Sequence, residues 1–367
     1  MPRPAKPSPP VPSDRPRNAP VTLRQVAEAV GLSIASVSCA FNGKSKVSAA
    51  NRERILSTAK ALGYRPNLLV RAMQSGVSGN IGVVVSSTGE FSRALINGVC
   101  TQLSAAGIVP VLHWSRPSLL LDPEREAQAE RVVLDKLLQH RVDGIILAPA
   151  YDEVLQHHFA EVWRRGLPLV SIDRVLPRVT CDSVSTDDVR GGRLAAEHLL
   201  SLGHRHVTQL AGELRYGSYA RRAESFAATI TAGGGTCRTI EVLNADHPQL
   251  VSIAKRLLEP PRPAAVFLGS DEFAPAVYQV ADELGLTIPE QLTVLGYAGL
   301  EIGAWLQPPL STVQQDPIAM GARAAELLIE AIRDPNLRAK PRRETHEPRL
   351  LLRGSTAAPV IQESRRG

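Results

Sequence analysis

The chain has 367 residues, 44% of them hydrophobic, and a formal net charge of +6, so it is long enough for two or three domains with a substantial core. Its four cysteines are far apart and form no Cys-x-x-Cys motif, which argues against a zinc site and a disulfide scaffold. No apolar stretch is long enough to cross a bilayer, so the composition predicts a soluble chain in the reducing cytoplasm, without a metal or cofactor.

The beginning of the chain carries the basic charge. Residues 1–20 are rich in proline and lack an apolar run, which predicts a disordered leader rather than a signal peptide. Residues 1–80 hold 12 basic and 3 acidic side chains, whereas residues 81–367 carry a net charge of −3. Because only four of the 12 basic residues precede Val21, the patterned segment after it is expected to bind a polyanion, most simply nucleic acid. A solvated basic tail is the alternative.

Residues 21–65 are predicted to form three short helices. Thr22 opens a capping box at the first helix and Gly31 ends it, while Ser33 and Ser48 cap the second and third. Two short helices joined by a tight turn and braced by a third have the organisation of a helix-turn-helix DNA-binding domain. Another small three-helix bundle is the alternative, and the local basic charge disfavours it.

Residues 66–79 are predicted to form a hinge. Pro66 disfavours helical continuation through the preceding residue, and Asn67 can cap a new helix. A helix of about seven residues is marginal alone, so this one is expected to form only against a partner. A plain interdomain linker is the alternative.

Residues 81–330 alternate apolar strand runs with helical stretches. The predicted strands are IGVVV, VPVLHW, GIILA, LPLVSI, HVTQLAG, AAVFLG and TVLGY. This alternation predicts parallel sheets with helices on both faces, in which ligands bind beyond the carboxyl ends of the strands. Polar residues follow three of these runs, at Ser86–Ser87, at Asp173–Arg174 and at Asp271. The tail 353–367 has no heptad pattern and is predicted to be flexible.

Several segments resemble the lactose/galactose-repressor family of bacterial transcription regulators. The resemblance is carried by VTLRQVAEAVGLSIASVSCAFNGKSKVSAANRERILSTAKALGYRPN, STDDVRGGRLAAEHLLSLGHRHV, PAAVFLGSDEFA and STVQQDPIAMGARAAELL, and it runs from Val21 to about Leu352. It implies an N-terminal all-α helix-turn-helix DNA-binding domain and an α/β two-lobed, periplasmic-binding-protein-like effector and dimerisation domain over residues 80–352.

The resemblance also implies a sequence-specific regulator, a repressor, that binds double-stranded palindromic operator DNA as a homodimer. The residues that it places at the DNA are Thr22, Ser33, Ile34, Ala35, Ser36, Ser38, Cys39, Asn42, Lys46, Ser48, Asn67 and Met73. Family members carry long polar readers on the second helix and an arginine at the position of Cys39. Their loss here predicts weak direct base readout, with more specificity from DNA shape and from Met73 as a minor-groove wedge.

By the same resemblance, a small-molecule effector binds between the two lobes. The residues expected to contact it are Phe91, Asp173, Ser218, Arg222, His247 and Asp271. Charged groups can fix ring hydroxyls while an aromatic face covers the apolar side, so a sugar or sugar derivative is expected, and a nucleobase or small acid is the alternative. Ala298 follows Gly-Tyr where family members commonly have an aspartate, and this loss of polarity leaves the effector's identity open. The sequence does not indicate whether the effector strengthens or weakens DNA binding.

Three other functions fit the residues less well. For an enzyme, the pair His204/His206 lacks an evident third metal ligand, and Asp187/Asp188 has the position of a helix start, where acidic residues favour the helix dipole. The chain also has neither a nucleophile elbow nor a phosphate loop. A cytosolic solute-binding module without a regulatory DNA role would not need the predicted helix-turn-helix domain. For RNA binding, the aromatic content of 4% leaves few side chains to stack on bases.

Overall fold

The computed structural model describes residues 21–41, 47–65, 77–115, 123–149, 159–176, 179–243 and 247–359. The chain divides into two compact units, Met1–Ser78 and Gly79–Gly367. The leader, the predicted hinge helix and four of the residues predicted at the DNA (Asn42, Lys46, Asn67 and Met73) lie outside the described residues.

The first unit consists of three helices over the described residues. They are α1 (Leu23–Val30), α2 (Ile34–Phe41) and α3 (Ala49–Ala61). The capping box at Thr22 begins α1, and Gly31 ends it with a left-handed φ of 67° that few other residues adopt. The fully buried side chains of Val26, Val37 and Ile55 bring one face of each helix into a shared core. The predicted helix-turn-helix fold is confirmed.

The second unit alternates strands with helices. Its helices are α4 (Glu90–Ala105), α5 (Pro123–Gln139), α6 (Phe159–Arg164), α7 (Asp188–Ser201), α8 (Gly217–Ala232), α9 (His247–Leu258), α10 (Ala274–Glu283), α11 (Ile302–Trp305) and α12 (Pro317–Arg333). Short 3₁₀ helices cover Asp271–Phe273 and Pro335–Ala339. Its strands are β1 (Asn80–Val85), β2 (Val109–Trp114), β3 (Gly144–Leu147), β4 (Leu169–Ile172), β5 (Asp182–Thr186), β6 (His206–Ala211), β7 (Thr236–Glu241), β8 (Ala265–Leu268), β9 (Thr293–Ala298), β10 (Ser311–Gln314), β11 (Arg343–His346) and β12 (Arg349–Leu351).

These strands form two six-stranded sheets, each the centre of one lobe. The first lobe contains the sheet ordered β11-β5-β4-β3-β1-β2, and the second lobe contains the sheet ordered β12-β10-β9-β8-β6-β7. All pairs are parallel except the antiparallel pair of β10 and β12. The chain crosses between the lobes after β5, after β10 and after β11. The predicted α/β two-lobed architecture is therefore confirmed.

Glycines allow two helix pairs to approach closely. A Cβ atom added to Gly98 of α4 would lie 2.0 Å from the backbone oxygen of Ile318 in α12, and one added to Gly192 of α7 would lie 2.3 Å from the backbone oxygen of Arg222 in α8. Both distances are shorter than any real carbon–oxygen contact, so each glycine is required by backbone packing. The second of these contacts positions α8, which carries Arg222 and Ser218.

The structure corrects the prediction of a flexible tail for residues 353–359. Ser355 is fully buried, and its hydroxyl donates to the Val294 oxygen and accepts from the Ser311 nitrogen. The Ala357 nitrogen donates to the Thr293 hydroxyl at 3.2 Å. The absence of a heptad pattern excludes a coiled coil but not an ordered segment. Hydrogen bonds to β9 and β10 order residues 353–359 without any helix.

Candidate functional site

A cavity lies between the two lobes, at the carboxyl ends of their parallel strands. Residues from both lobes and from one crossing segment form its wall: Ser86, Ser87, Gly89, Phe91, Ser92, Leu95, Ala148, Asp173, Arg174, Ser218, Tyr219, Arg222, Gly269, Ser270, Glu272, Ala298 and Gln315. We call it the interlobe cavity. It lies where doubly wound sheets bind ligands, as the positions of the polar residues after the strands predicted.

The first lobe contributes an aromatic ring and an ion pair. Phe91 is half-buried at the start of α4. Asp173 follows β4 with a left-handed φ of 69°, and its nitrogen donates to the Val184 oxygen at 2.8 Å. Arg174 lies 3.8 Å from Asp173 between Nε and Oδ2, and its guanidinium lies 3.8 Å above the ring of Tyr216 in the second lobe. Arg174 of the first lobe therefore also contacts the second lobe.

The second lobe places a buried guanidinium in the cavity wall. Arg222 of α8 is 6% exposed, its Nη2 donates to Asp188 Oδ1 at 2.8 Å, and its Nη1 donates to the Gly269 oxygen. Its guanidinium lies 3.4 Å from the ring centroid of Tyr297, whose hydroxyl donates to the same Asp188 oxygen. Burial raises the pKa of Asp188, and the positive charge of Arg222 opposes that effect. Three neighbours thus hold one cation in a single orientation.

One donor of this guanidinium is not used by the protein. Arg222 Nε is buried and has no hydrogen-bond partner among the described residues. An unpaired buried donor costs about 1–3 kcal/mol, or more when it is charged, unless a ligand or water accepts from it. Arg222 lines the interlobe cavity, but its Nε atom is itself buried, so an acceptor on a bound molecule can satisfy this donor only if neighbouring groups move.

The structure corrects the prediction that Asp271 contacts an effector. Asp271 is fully buried and does not line the cavity, because its oxygens accept from the Leu300 nitrogen and the Thr312 hydroxyl, both at 2.8 Å, within the second lobe. Burial raises its pKa to about 6, although both hydrogen bonds lower it. The neighbouring Glu272 lines the cavity instead. Sequence reasoning missed Glu272, and the only signal was its position next to Asp271 after β8.

The remaining predicted effector residues are placed as follows. Ser218 lines the cavity at the beginning of α8, and Ala298 lines it at the end of β9 with a φ of 117°. His247 begins α9, and its side chain lies outside the described part of the chain. Gln315, which was not predicted, lies in a crossing segment, and its Nε2 donates to the Thr186 hydroxyl at 2.7 Å. The hydrogen bond therefore links a residue of the cavity wall, in the crossing after β10, to the end of β5, where the chain begins another crossing between the lobes.

In the first unit, α2 exposes small side chains. Ile34 is 44% exposed, Ala35 is also exposed, and Cys39 is half-buried one turn later. Ser33 accepts from the Ser36 nitrogen at 3.1 Å and so caps α2, while Ser48 accepts from the Asn51 nitrogen at 3.4 Å and caps α3. The exposed start of α2 thus offers apolar contacts rather than long hydrogen-bonding side chains. Thr22 is exposed at the start of α1, and Ser36 and Ser38 are half-buried on α2.

The residue pairs considered for catalysis have structural partners. His204 contacts the Ala357 oxygen at 2.8 Å, and His206 contacts the Thr236 hydroxyl at 2.8 Å. Asp187 caps α7 by accepting from the Arg190 nitrogen at 2.8 Å. Within the described ranges, no three His, Cys, Asp or Glu side chains are grouped so that they could hold a metal ion. No helix in these ranges has the length and apolar character needed to span a membrane.

Comparison with known proteins finds relatives of both units. Residues 22–67 match bacterial regulatory proteins of the lacI family, and residues 196–356 match the periplasmic binding protein-like domain. The ribose operon repressor of Escherichia coli K12 is 28% identical over 343 residues, which cover 91% of this chain and 99% of the relative.

Two solved structures share the fold. The lac repressor dimer bound to operator and the anti-inducer ONPF has a TM-score of 0.80 and 25% identity, covering 93% of this chain and all of that one. A lacI-family regulator of Enterococcus faecium with bound ribose has a TM-score of 0.67 and 25% identity, covering 77% of this chain and all of that one.

A helix-turn-helix unit followed by a two-lobed domain with an interlobe cavity defines a ligand-responsive DNA-binding transcription regulator. The chain belongs to the lacI family of bacterial regulatory proteins. The alternative of a solute-binding module without a regulatory DNA role is not favoured, because the helix-turn-helix unit itself matches the regulators.

Proposed function

We propose that this regulator is a cytoplasmic repressor that binds a palindromic operator as a homodimer, and that a sugar-like effector in the interlobe cavity changes its affinity for DNA. The observation that supports this most strongly is the composition of the cavity wall, where Phe91 lies among Asp173, Ser218 and Arg222. An aromatic face covers the apolar side of a sugar ring, while charged and hydroxyl groups exchange hydrogen bonds with its hydroxyls.

An exposed apolar edge of the first lobe supports the homodimer. Strand β2 lies at the end of its sheet, and Val109, Leu112 and Trp114 are 51%, 37% and 46% exposed on it. Edge strands with exposed large apolar side chains are open to pairing or packing with another chain. We propose a two-fold dimer that places two DNA-binding units on the two halves of a palindrome.

In the proposed domain organisation, residues 21–65 bind DNA, residues 66–79 form the hinge and residues 80–352 bind the effector. Thr22, Ser33, Ser36, Ser38 and Ser48 would contact phosphates, and Asn42, Lys46 and Asn67 would do so outside the described ranges. Ile34 and Ala35 would contact thymine methyl groups, and Met73 would insert into the minor groove.

The proposed function is tested by selecting operators for the full-length chain from a random DNA library. Fluorescence anisotropy then measures affinity for the selected site with and without each sugar of a panel that includes D-ribose. We expect a palindromic site and at least one sugar that changes the affinity about tenfold. Failure to select any DNA would contradict the proposed role as a DNA-binding regulator. If a nucleobase or an organic acid changes the affinity and no sugar does, the proposed class of effector is wrong.

Phe91→Ala should then weaken the active sugar about tenfold in the same assay, because it removes the aromatic face from the cavity wall. Trp305→Ala is the matched control, since Trp305 is 72% exposed and does not line the cavity. Equal effects of both variants would contradict sugar binding at this site.

Cys39→Arg should increase discrimination among operators at the base pairs under α2. An arginine there can donate two hydrogen bonds to a guanine edge, which is worth about 1–3 kcal/mol against the wrong base. Ala29→Arg, at an exposed position of α1, adds the same charge and should raise affinity without sequence preference. Anisotropy on single-base-pair operator variants measures both. If the native chain already discriminates these base pairs by several kcal/mol, the prediction of weak readout is wrong.

A further inference from the structure

Two glutamates on opposite lobes each accept hydrogen bonds from backbone N–H groups of the other lobe, next to the interlobe cavity. Glu272, in the 3₁₀ helix of the second lobe, accepts from the Glu90 nitrogen at 2.8 Å through Oε1. Glu90, the first residue of α4 in the first lobe, accepts from the Glu301 nitrogen at 2.5 Å and from the Ile302 nitrogen at 3.4 Å. Each carboxylate thus bonds backbone donors of the opposite lobe. We call these contacts the glutamate pair.

The backbone at the start of α4 accommodates the Glu272 carboxylate. The first N–H groups of α4 have no partner within the helix, so a carboxylate from outside satisfies one of them. Gly89 precedes α4 with φ of −60°, a value open to any residue, yet a Cβ atom added there would lie 2.3 Å from Glu272 Oε1. Glycine therefore leaves room for the carboxylate, which a Cβ atom would displace, and is not needed for backbone conformation.

The glutamate pair is continuous with the interlobe cavity. Gly89 and Glu272 line the same wall as Arg222, so Glu272 faces the cavity with one side and the opposite lobe with the other. Burial raises the pKa of Glu272, the hydrogen bond from the Glu90 nitrogen lowers it, and the negative charge of Glu90 raises it. The stacking of Arg174 on Tyr216 provides a second contact between the lobes.

We propose that Glu90 and Glu272 are positioning residues that hold the two lobes closed over the bound effector. The role of the pair in effector binding depends on the proposed function, whereas its role in lobe closure does not. Because each carboxylate bonds the other lobe, breaking either half lets the lobes separate and so breaks the other half. This reciprocity distinguishes a closure device from two independent helix caps.

Hydrogen exchange of the full-length chain without ligand tests the reciprocity. Gly89→Ala displaces the Glu272 carboxylate without removing a charge, and we expect exchange to rise at least tenfold at the Glu301 and Ile302 amides, whose own partner Glu90 is intact. Glu90→Ala should likewise raise exchange at its own amide, although Glu272 is intact. Changes confined to the amide whose direct partner was altered would overturn the proposal.

Glu301→Ala is the matched control, because it removes a carboxylate from the same segment and leaves the backbone donor in place. It should leave exchange at the Glu90 amide unchanged. Glu90→Gln retains one acceptor oxygen and should restore part of the protection lost in Glu90→Ala. Unchanged melting temperatures for these variants would show that exchange reports local opening and not unfolding.

Calorimetric titration with D-ribose tests whether the glutamate pair contributes to effector binding. If the native chain binds D-ribose, Gly89→Ala and Glu90→Ala should weaken that binding at least tenfold, mainly because the sugar dissociates faster. Equal affinity in all variants would overturn the role of the pair in effector binding. If the native chain does not bind D-ribose, that result bears on the identity of the effector alone, and the exchange experiment still decides whether the pair closes the lobes.

Discussion

Asp188→Asn is expected to lower the free energy of unfolding by about 3–5 kcal/mol, because it leaves the Arg222 guanidinium buried without its counter-charge. The two side chains are 7% and 1% exposed, and Arg222 Nη2 lies 2.8 Å from Asp188 Oδ1. The amide oxygen of asparagine can still accept from Arg222 Nη2, but it carries no negative charge to balance the buried guanidinium. The variant should also lose effector affinity, since Arg222 lines the cavity and depends on Asp188 and Tyr297 for its orientation.

Urea unfolding followed by tryptophan fluorescence measures this change, because Trp114, Trp163 and Trp305 all belong to the second unit. Asp187→Asn is the matched control at the adjacent position, where asparagine caps a helix about as well as aspartate. Asp188→Asn combined with Arg222→Met should regain part of the lost stability, since no buried charge then remains unpaired. A cost of Asp188→Asn no larger than that of Asp187→Asn would show that the ion pair contributes little.

The stability of the second unit should fall as the pH rises through the titration of Asp271. Its pKa is about 6 in the folded chain against a usual value of 3.8, so the unfolded chain releases this proton first. Between about pH 4 and pH 6 the folded chain binds more protons, and the free energy of unfolding attributable to Asp271 decreases with rising pH. The gap between the two pKa values corresponds to about 3 kcal/mol.

Comparison with Asp271→Asn isolates this contribution, because the other titrating groups are common to both proteins. Asparagine does not ionise, and its oxygen can still accept from the Leu300 nitrogen or the Thr312 hydroxyl. In urea unfolding at intervals from pH 4 to pH 7, the stability of the native chain relative to the variant should decrease by about 2.4 kcal/mol, because the unfolded carboxyl is already more than half ionised at pH 4. A relative stability that stays constant or increases with pH would contradict the raised pKa.

Local sequence patterns predicted most of the regular structure. Seven strand runs, from IGVVV to TVLGY, correspond to β1–β4, β6, β8 and β9. The strands that were missed include β7 and β11, whose residues are mostly exposed or half-buried and so lack a continuous apolar run. The short strand β5 is fully buried, but two of its five residues are serines and one is an aspartate, so apolar patterning did not reveal it.

The wrong prediction for Asp271 shows that the position of a polar residue after a strand does not determine whether its side chain faces the cavity. Asp271 and Glu272 are adjacent carboxylates in one short 3₁₀ helix, and successive residues there point in different directions. The resemblance implied an effector contact at Asp271, whereas that side chain is fully buried and accepts hydrogen bonds from Thr312 and Leu300 within the second lobe. Glu272 was overlooked because its partner Glu90 is 182 residues away in the chain.

Local patterns in the sequence are sufficient to predict the helix-turn-helix unit, the alternating strands and helices of the second unit and the polar positions at strand ends. Caps, glycine turns and apolar periodicity act within a few residues, so they can be read without a structure. The folded structure was needed to show that Arg222 pairs with Asp188, 34 residues away, and that Glu272 lines the cavity while Asp271 does not. It was also needed to show that Glu90 of the first lobe accepts from the Glu301 nitrogen of the second. These choices depend on which segments the folded sheets bring together, because desolvation and hydrogen bonding act between neighbours in space.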